Sequence, residues 1–115
     1  MSLSGAMATA FFNELAGKTV VWTLTDSDGV ATSGGSMPFF SSEQRAKSLI
    51  DQIPDYANFE PLSVPIADFQ SRWLPGLARD ELSVGLNWYG PAATGHNYTP
   101  REVAEWLERV SSAQS

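Results

Sequence analysis

Residues 82–88 read Leu-Ser-Val-Gly-Leu-Asn-Trp. Leu82, Val84, Leu86 and Trp88 alternate with Ser83, Gly85 and Asn87, the two-residue period of a strand with one apolar and one polar face. The pattern predicts a half-buried strand that delivers Trp88 to the core. Gly85 inside it marks a bulge or a close backbone approach.

Working outward, Met7, Phe11, Phe12 and Leu15 fall on one helical face, and Gly17 is placed to end that helix in the left-handed conformation. Residues 18–25, KTVVWTLT, are β-branched and put Val20, Trp22 and Leu24 on one side of a strand. Asp26-Ser27-Asp28-Gly29 turns the chain into a short return strand from Val30, and Ser33-Gly34-Gly35-Ser36 turns it again. Met37 to Phe40 makes a third strand, in which Pro38 argues for an edge position. Ser41 as cap with Gln44 three positions on opens a second helix, whose buried stripe is Ala46, Leu49, Ile50 and Ile53. Leu62 to Pro65 is a strand. Ile66, Phe69 and Trp73 recur at helical spacing until Pro75-Gly76 stops them. Thr99-Pro100-Arg101-Glu102 is a capping box with proline at the first helical position, opening a last helix buried through Val103, Trp106, Leu107 and Val110.

Helices intermixed with short strands predict an α+β fold. The expected sheet is mostly antiparallel or mixed and is covered by about four helices as a single layer pair. One domain spans residues 7–110. Residues 1–6 read as a tag remnant or a disordered start, and 111–115 as a fraying end.

The 115 residues contain no cysteine and one histidine, His96, with a net charge of −6. No disulfide framework or thiolate metal site can form, which suits a reducing cytoplasm. The seven basic residues are scattered, so a phosphate-binding face is not expected and nucleic acid is excluded as a partner. From Asp51 to Asp68 every formal charge is negative. No apolar run reaches the ~20 residues of a membrane span.

Few residues offer chemistry. Asp26-Ser27-Asp28-Gly29 begins like a calcium loop, but its glycine comes too early and Met37 stands where a bidentate glutamate is needed. The Ser33–Ser36 turn lacks the lysine of a phosphate-cradling loop. Asn87, Tyr89 and His96 are the candidate binding residues: an amide and an aromatic at a strand end beside a glycine-rich loop suit a small pocket or peptide groove. The competing assignment has Tyr89 packed under the last helix, Asn87 tying down the loop by hydrogen bonds, and His96 as an ordinary loop residue. No catalytic residue, metal ligand or cofactor is expected.

One further reading comes from likeness. Val21-Trp22-Thr23-Leu24 with Asp28-Gly29, then residues 37–43 (MPFFSSE), Asp68-Phe69, residues 73–77 (WLPGL) and residues 82–88 (LSVGLNW) occur in that order. They resemble a bacterial family catalogued as domain of unknown function 2750, over about residues 18–107. The layout is also similar to the N-terminal domain of SseB-type secretion-enhancer proteins. The resemblance implies a small cytoplasmic bacterial domain and brings no reaction with it. The functions expected are therefore a non-catalytic protein-interaction or regulatory module, with an unknown protein or a second copy as partner; an acidic inhibitor that masks a basic partner; or a small-ligand binder or enzyme using Asn87, Tyr89 and His96.

Overall fold

The β-branched run becomes β1 (Val20–Asp26), the strand around which the others are arranged. The computed structural model describes residues 6–15, 17–32, 35–88 and 97–114, with 6–9 and 110–114 by backbone alone. The elements run α1 (Ala6–Leu15), β1, β2 (Gly29–Val30), β3 (Ser36–Phe39), α2 (Glu43–Gln52), a 3-10 turn at Pro54–Tyr56, β4 (Glu60–Pro65), α3 (Ile66–Asp68), a π turn at Phe69–Trp73, α4 (Leu74–Arg79), β5 (Ser83–Leu86), β6 (Asn97–Tyr98) and α5 (Pro100–Gln114). The α+β class and the mixed sheet are as expected.

β4 pairs antiparallel with β1, Val20 opposite Pro65 through Thr25 opposite Glu60. The Ile66 amide donates to the Thr19 carbonyl at 2.9 Å. By two-residue alternation, Pro61 and Pro65 therefore occupy positions whose amides would point away from β1. Proline costs no ladder bond there and closes that edge to further strands.

Pro38 stands where it is expected, on an edge strand. β3 is the end strand of its sheet and pairs parallel with β5 from Ser36–Ser83 to Phe39–Leu86. Toward β1 it makes one bridge, with Trp22 and Phe40 exchanging backbone bonds of 2.9 and 2.7 Å. The next such pair would join Leu24 to Pro38, which has no N–H to give. The Ala31 amide takes the Leu24 carbonyl instead, at 2.9 Å. The Thr23 hydroxyl donates to the Pro38 carbonyl at 2.7 Å. One proline thus divides the strands into two three-stranded sheets, β2-β1-β4 and β3-β5-β6.

The apolar residues segregate into two clusters. One gathers Phe11, Phe12, Val21, Phe39, Phe69, Val84, Leu86 and Trp106 beneath α1, α4 and α5. The other gathers Leu24, Ala31, Phe40, Ala46, Leu49, Ile53 and Trp88 beneath α2. Val21 and Leu24, and Phe39 and Phe40, divide between them, so the strands are covered on both faces and the packing adds a layer to the expected pair. Each fully buried phenylalanine contributes roughly 1.5–3 kcal/mol.

Three local readings change. Pro75-Gly76 does not stop the third helix; the chain stays helical from 66 to 79. The Leu74 amide reaches back five residues to Phe69, and this wider π turn lets the proline ring follow without striking the preceding turn. Ser42, not Ser41, caps α2, its hydroxyl accepting from the Arg45 amide at 3.2 Å. Ser41 is buried and its hydroxyl is committed elsewhere. The last helix continues to Gln114, beyond Val110. The capping box at its start is as read: the Glu102 amide donates to Thr99 Oγ1 at 3.1 Å and the Thr99 amide to Glu102 Oε1 at 3.0 Å. Gly17 has φ +80°, as its helix-ending position requires.

α4 ends in a left-handed cap built on a residue other than glycine. Leu82 N donates to the Leu77 carbonyl at 2.9 Å and Glu81 N to the Ala78 carbonyl at 3.2 Å, with Glu81 at φ +59°. This is the 6→1 and 5→2 bonding of a Schellman motif, where glycine avoids the clash of Cβ with the backbone. Glu81→Gly is expected to raise unfolding free energy by about 1 kcal/mol, measured by urea denaturation. An unchanged or lower midpoint would contradict that account of the cap.

Candidate functional site

The carboxyl ends of the parallel strands β3 and β5 lie side by side, and the chain leaves them as Phe40-Ser41-Ser42 and Asn87-Trp88. Asn87 has φ +50°, a conformation that asparagine tolerates better than most residues, and it is 1% exposed. Its amide oxygen accepts from the Ser41 backbone N–H at 2.9 Å, and its Nδ2 donates to Ser41 Oγ at 3.0 Å. Ser41 Oγ in turn donates to Glu14 Oε1 at 2.5 Å. Arg45 closes the chain: Nε donates to Glu14 Oε1 at 2.9 Å and Nη2 to Oε2 at 2.5 Å. Asn87, Ser41, Glu14 and Arg45 form a continuous relay from the buried end of β5, through α1, to the first turn of α2.

The geometry sets the charge states. The bidentate Arg45 guanidinium holds the Glu14 carboxyl far below its ordinary 4.5, at about 2; burial pushes the other way, and the Ser41 hydroxyl reinforces the shift. Glu14 raises the pKa of Arg45 in return. A cleft of about 400 Å³ opens over this pair, lined by Glu14, Ser42, Gln44, Arg45 and Ser48.

Because the folded-state pKa of Glu14 is depressed, its stabilisation is fully present above about pH 4.5 and is lost as pH falls through about 2. The side chains of Arg45 and Glu14 keep 32% and 38% exposure, so solvent screening reduces the effect to about 1 kcal/mol. Glu14→Gln is expected to lower stability by about 1 kcal/mol at neutral pH and by nearly nothing near pH 2. Urea midpoints of the two proteins across pH test this; a constant difference would show that the carboxylate charge plays no part.

Asn87 is engaged by hydrogen bonds at the start of α2, whereas the loop it is expected to tie down lies outside the described residues. Tyr89 and His96 lie outside the described residues. Trp88 departs from expectation. The left-handed turn at Asn87 breaks the alternation of β5, so Trp88 packs with Leu24, Phe40 and Leu49 under α2, across the sheet from Val84 and Leu86. Its indole folds back onto Gly85, the close backbone approach that the glycine announced, and Nε1 donates to Asn97 Oδ1 at 3.3 Å. With Val84 to Trp88 all buried, β5 is a fully covered strand.

Glu14, Ser41 and Arg45 were not legible as site residues. Glu14 and Arg45 are 31 residues apart on different helices, and no spacing rule links them. Ser41 carried a signal, but as a helix cap.

The Asp26 turn is also resolved. Asp26 Oδ1 accepts from the amides of Asp28 at 2.8 Å and Gly29 at 3.1 Å, so this carboxylate holds a hairpin. Among the described residues no helix is long and apolar enough to cross a membrane. Searches of curated proteins and of solved structures find no match. A family match covers residues 8–107, taking in β1 to β5 and every residue of the relay, and by it the chain belongs to DUF2750, a family of proteins of unknown function.

Proposed function

We propose that this domain is a non-catalytic protein-interaction or regulatory module of the bacterial cytoplasm. The observation that carries this reading is the closure of the polar relay. Asn87 is committed to Ser41, Ser41 to Glu14, and Glu14 to Arg45. A general base has to be free to take a proton near neutrality, whereas a carboxyl held at about 2 is a weak base. The relay clasps α1 and α2 around the end of the sheet, which is scaffold work. Apolar side chains also reach the surface: Met37, Trp73 and Leu82 are only partly buried and border one hollow.

A photo-crosslinking residue placed at exposed positions on each face, 51, 63, 72 and 105, tests this in the cell. The expected result is one adduct of discrete mass, from one face, whose partner re-forms a stoichiometric complex with the purified domain. No adduct from any position would overturn the reading. A second reading, an acidic inhibitor of a basic partner, is favoured by the exposed Asp51, Asp55 and Glu60. It predicts the adduct from position 51 and binding that weakens steeply with salt.

A further inference from the structure

A hollow of about 250 Å³ is walled by three segments of the chain: Met37 from β3, Trp73, Gly76 and Leu77 from the helical stretch 66–79, and Leu82 ahead of β5. Trp73 is only partly buried, yet its ring stands edge-on against the fully buried Phe39, with centroids 5.9 Å apart at 87°. The aromatic wall is therefore in place before anything docks. Gly76 leaves the hollow open beside it. Its φ is not in the left-handed region, and it lies within α4. Outside its own helix backbone, a Cβ there would meet only Arg79 Nη2, at 3.6 Å, an ordinary contact with the end of a flexible side chain. Packing does not require glycine here, and glycine weakens a helix relative to alanine. What the missing methyl provides is bare backbone in the wall of the hollow.

Three exposed charges belong to this hollow. Arg72 and Asp80 border it, and the Arg79 guanidinium reaches it at Gly76. Glu81 lines the neighbouring hollow instead. Among the described residues neither guanidinium has an ion-pair or hydrogen-bond partner. Two guanidiniums against one carboxylate leave this hollow net positive on a chain whose net charge is −6. The complement is an apolar group that carries negative charge with it. The volume lies below the ~300–1,000 Å³ of sites that enclose a small molecule, and it suits one anchoring side chain. We infer that this hollow docks a segment of another protein that seats one large apolar side chain against Trp73 and Gly76 and brings carboxylates to Arg72 and Arg79. The inference rests on the interaction reading above and names its partner's chemistry.

The test uses the full chain and a synthetic peptide, acetyl-Ser-Glu-Phe-Glu-Ser-amide, followed by amide chemical shifts. Saturable shifts are expected at residues 37, 72–77 and 82. Replacing both glutamates of the peptide by lysine is expected to weaken binding by about tenfold, and replacing its phenylalanine by serine by at least as much. Asp80→Asn should tighten binding of the glutamate peptide, because it removes the opposing charge, and Arg72→Gln with Arg79→Gln should abolish the preference for glutamate over lysine. Gly76→Ala is the decisive variant: the added methyl should raise the urea midpoint while weakening binding severalfold, so lost recognition cannot be mistaken for lost structure. No saturation, shifts centred elsewhere, equal binding of the glutamate and lysine peptides, or unchanged binding by Gly76→Ala would overturn the inference. Concentration-dependent shifts of the same residues without peptide would also overturn it, by naming a second copy as the occupant. If the peptide fails while crosslinking still yields a partner, the interaction reading stands and this surface does not; if both fail, both fall.

Discussion

Gly85→Ala is expected to be among the most damaging single-methyl additions in the chain, lowering unfolding free energy by about 3 kcal/mol. A Cβ built at Gly85 falls within 3.0 Å of Trp88 Cε2, Nε1 and Cζ2, closer than real Cβ atoms approach. Neither side can yield cheaply. Gly85 is held in a ladder between β3 and β6, opposite Pro38 and Asn97. Trp88 is 6% exposed and packed with Leu24, Phe40 and Leu49. Either the strand shifts against two neighbours or the indole leaves its cluster. A double-mutant cycle isolates the clash. Trp88→Ala alone should cost roughly 3–5 kcal/mol. Adding Gly85→Ala to it should cost almost nothing more, giving a coupling of roughly 2–3 kcal/mol. Additive losses, read from urea midpoints, would show that the contact does not determine why glycine occupies this position.

The same strand shows what the sequence discloses and what it withholds. Local chemistry was readable wherever one residue decides the outcome: Gly17 ending a helix, Asp26 holding a hairpin, Thr99 and Glu102 closing a box. It misled where the outcome depended on a partner distant in the chain. Pro38 reads rightly as an edge marker, but that β1 lies alongside it, and that the Ala31 amide takes the Leu24 carbonyl there, could not be read from it. Pro75 looks like a terminator because the preceding π turn has no sequence signature. Trp88 looks like the fourth member of an alternating face because left-handed Asn87 is indistinguishable in sequence from any other polar strand residue.

The candidate site divides in the same way. Asn87 could be selected because an amide at the end of an apolar strand has to find partners. Its partners could not, since Ser41 already satisfied a local role as a cap and the cap moved one residue on. Glu14 and Arg45 read as ordinary charges on two helices. They meet only because α1 and α2 pass either side of the same strand ends.

Asn87→Ala is expected to cost about 3 kcal/mol, from two separable sources. Alanine at φ +50° pays about 1 kcal/mol of Cβ strain that asparagine partly avoids. The lost amide oxygen leaves the Ser41 N–H unpaired, at about 2 kcal/mol. Asn87→Gly removes the strain and keeps the loss, so it should recover about 1 kcal/mol of the alanine deficit. Asn87→Asp is the sharper test. It preserves the shape and the acceptor for Ser41 N–H, but it removes the Nδ2 donor and places a second carboxylate one hydroxyl away from Glu14. Two carboxylates sharing Ser41 repel, and burial raises the new group's pKa. A raised folded-state pKa means the penalty is full at neutral pH and shrinks as pH falls, opposite in sign to the acid-dependent loss expected from Glu14 in the parent protein. Urea midpoints for the three variants across pH would read this out. If Asn87→Asp matched the parent at neutral pH, the Asn87–Ser41 end of the relay would not be the buried, fully paired contact that these hydrogen bonds describe.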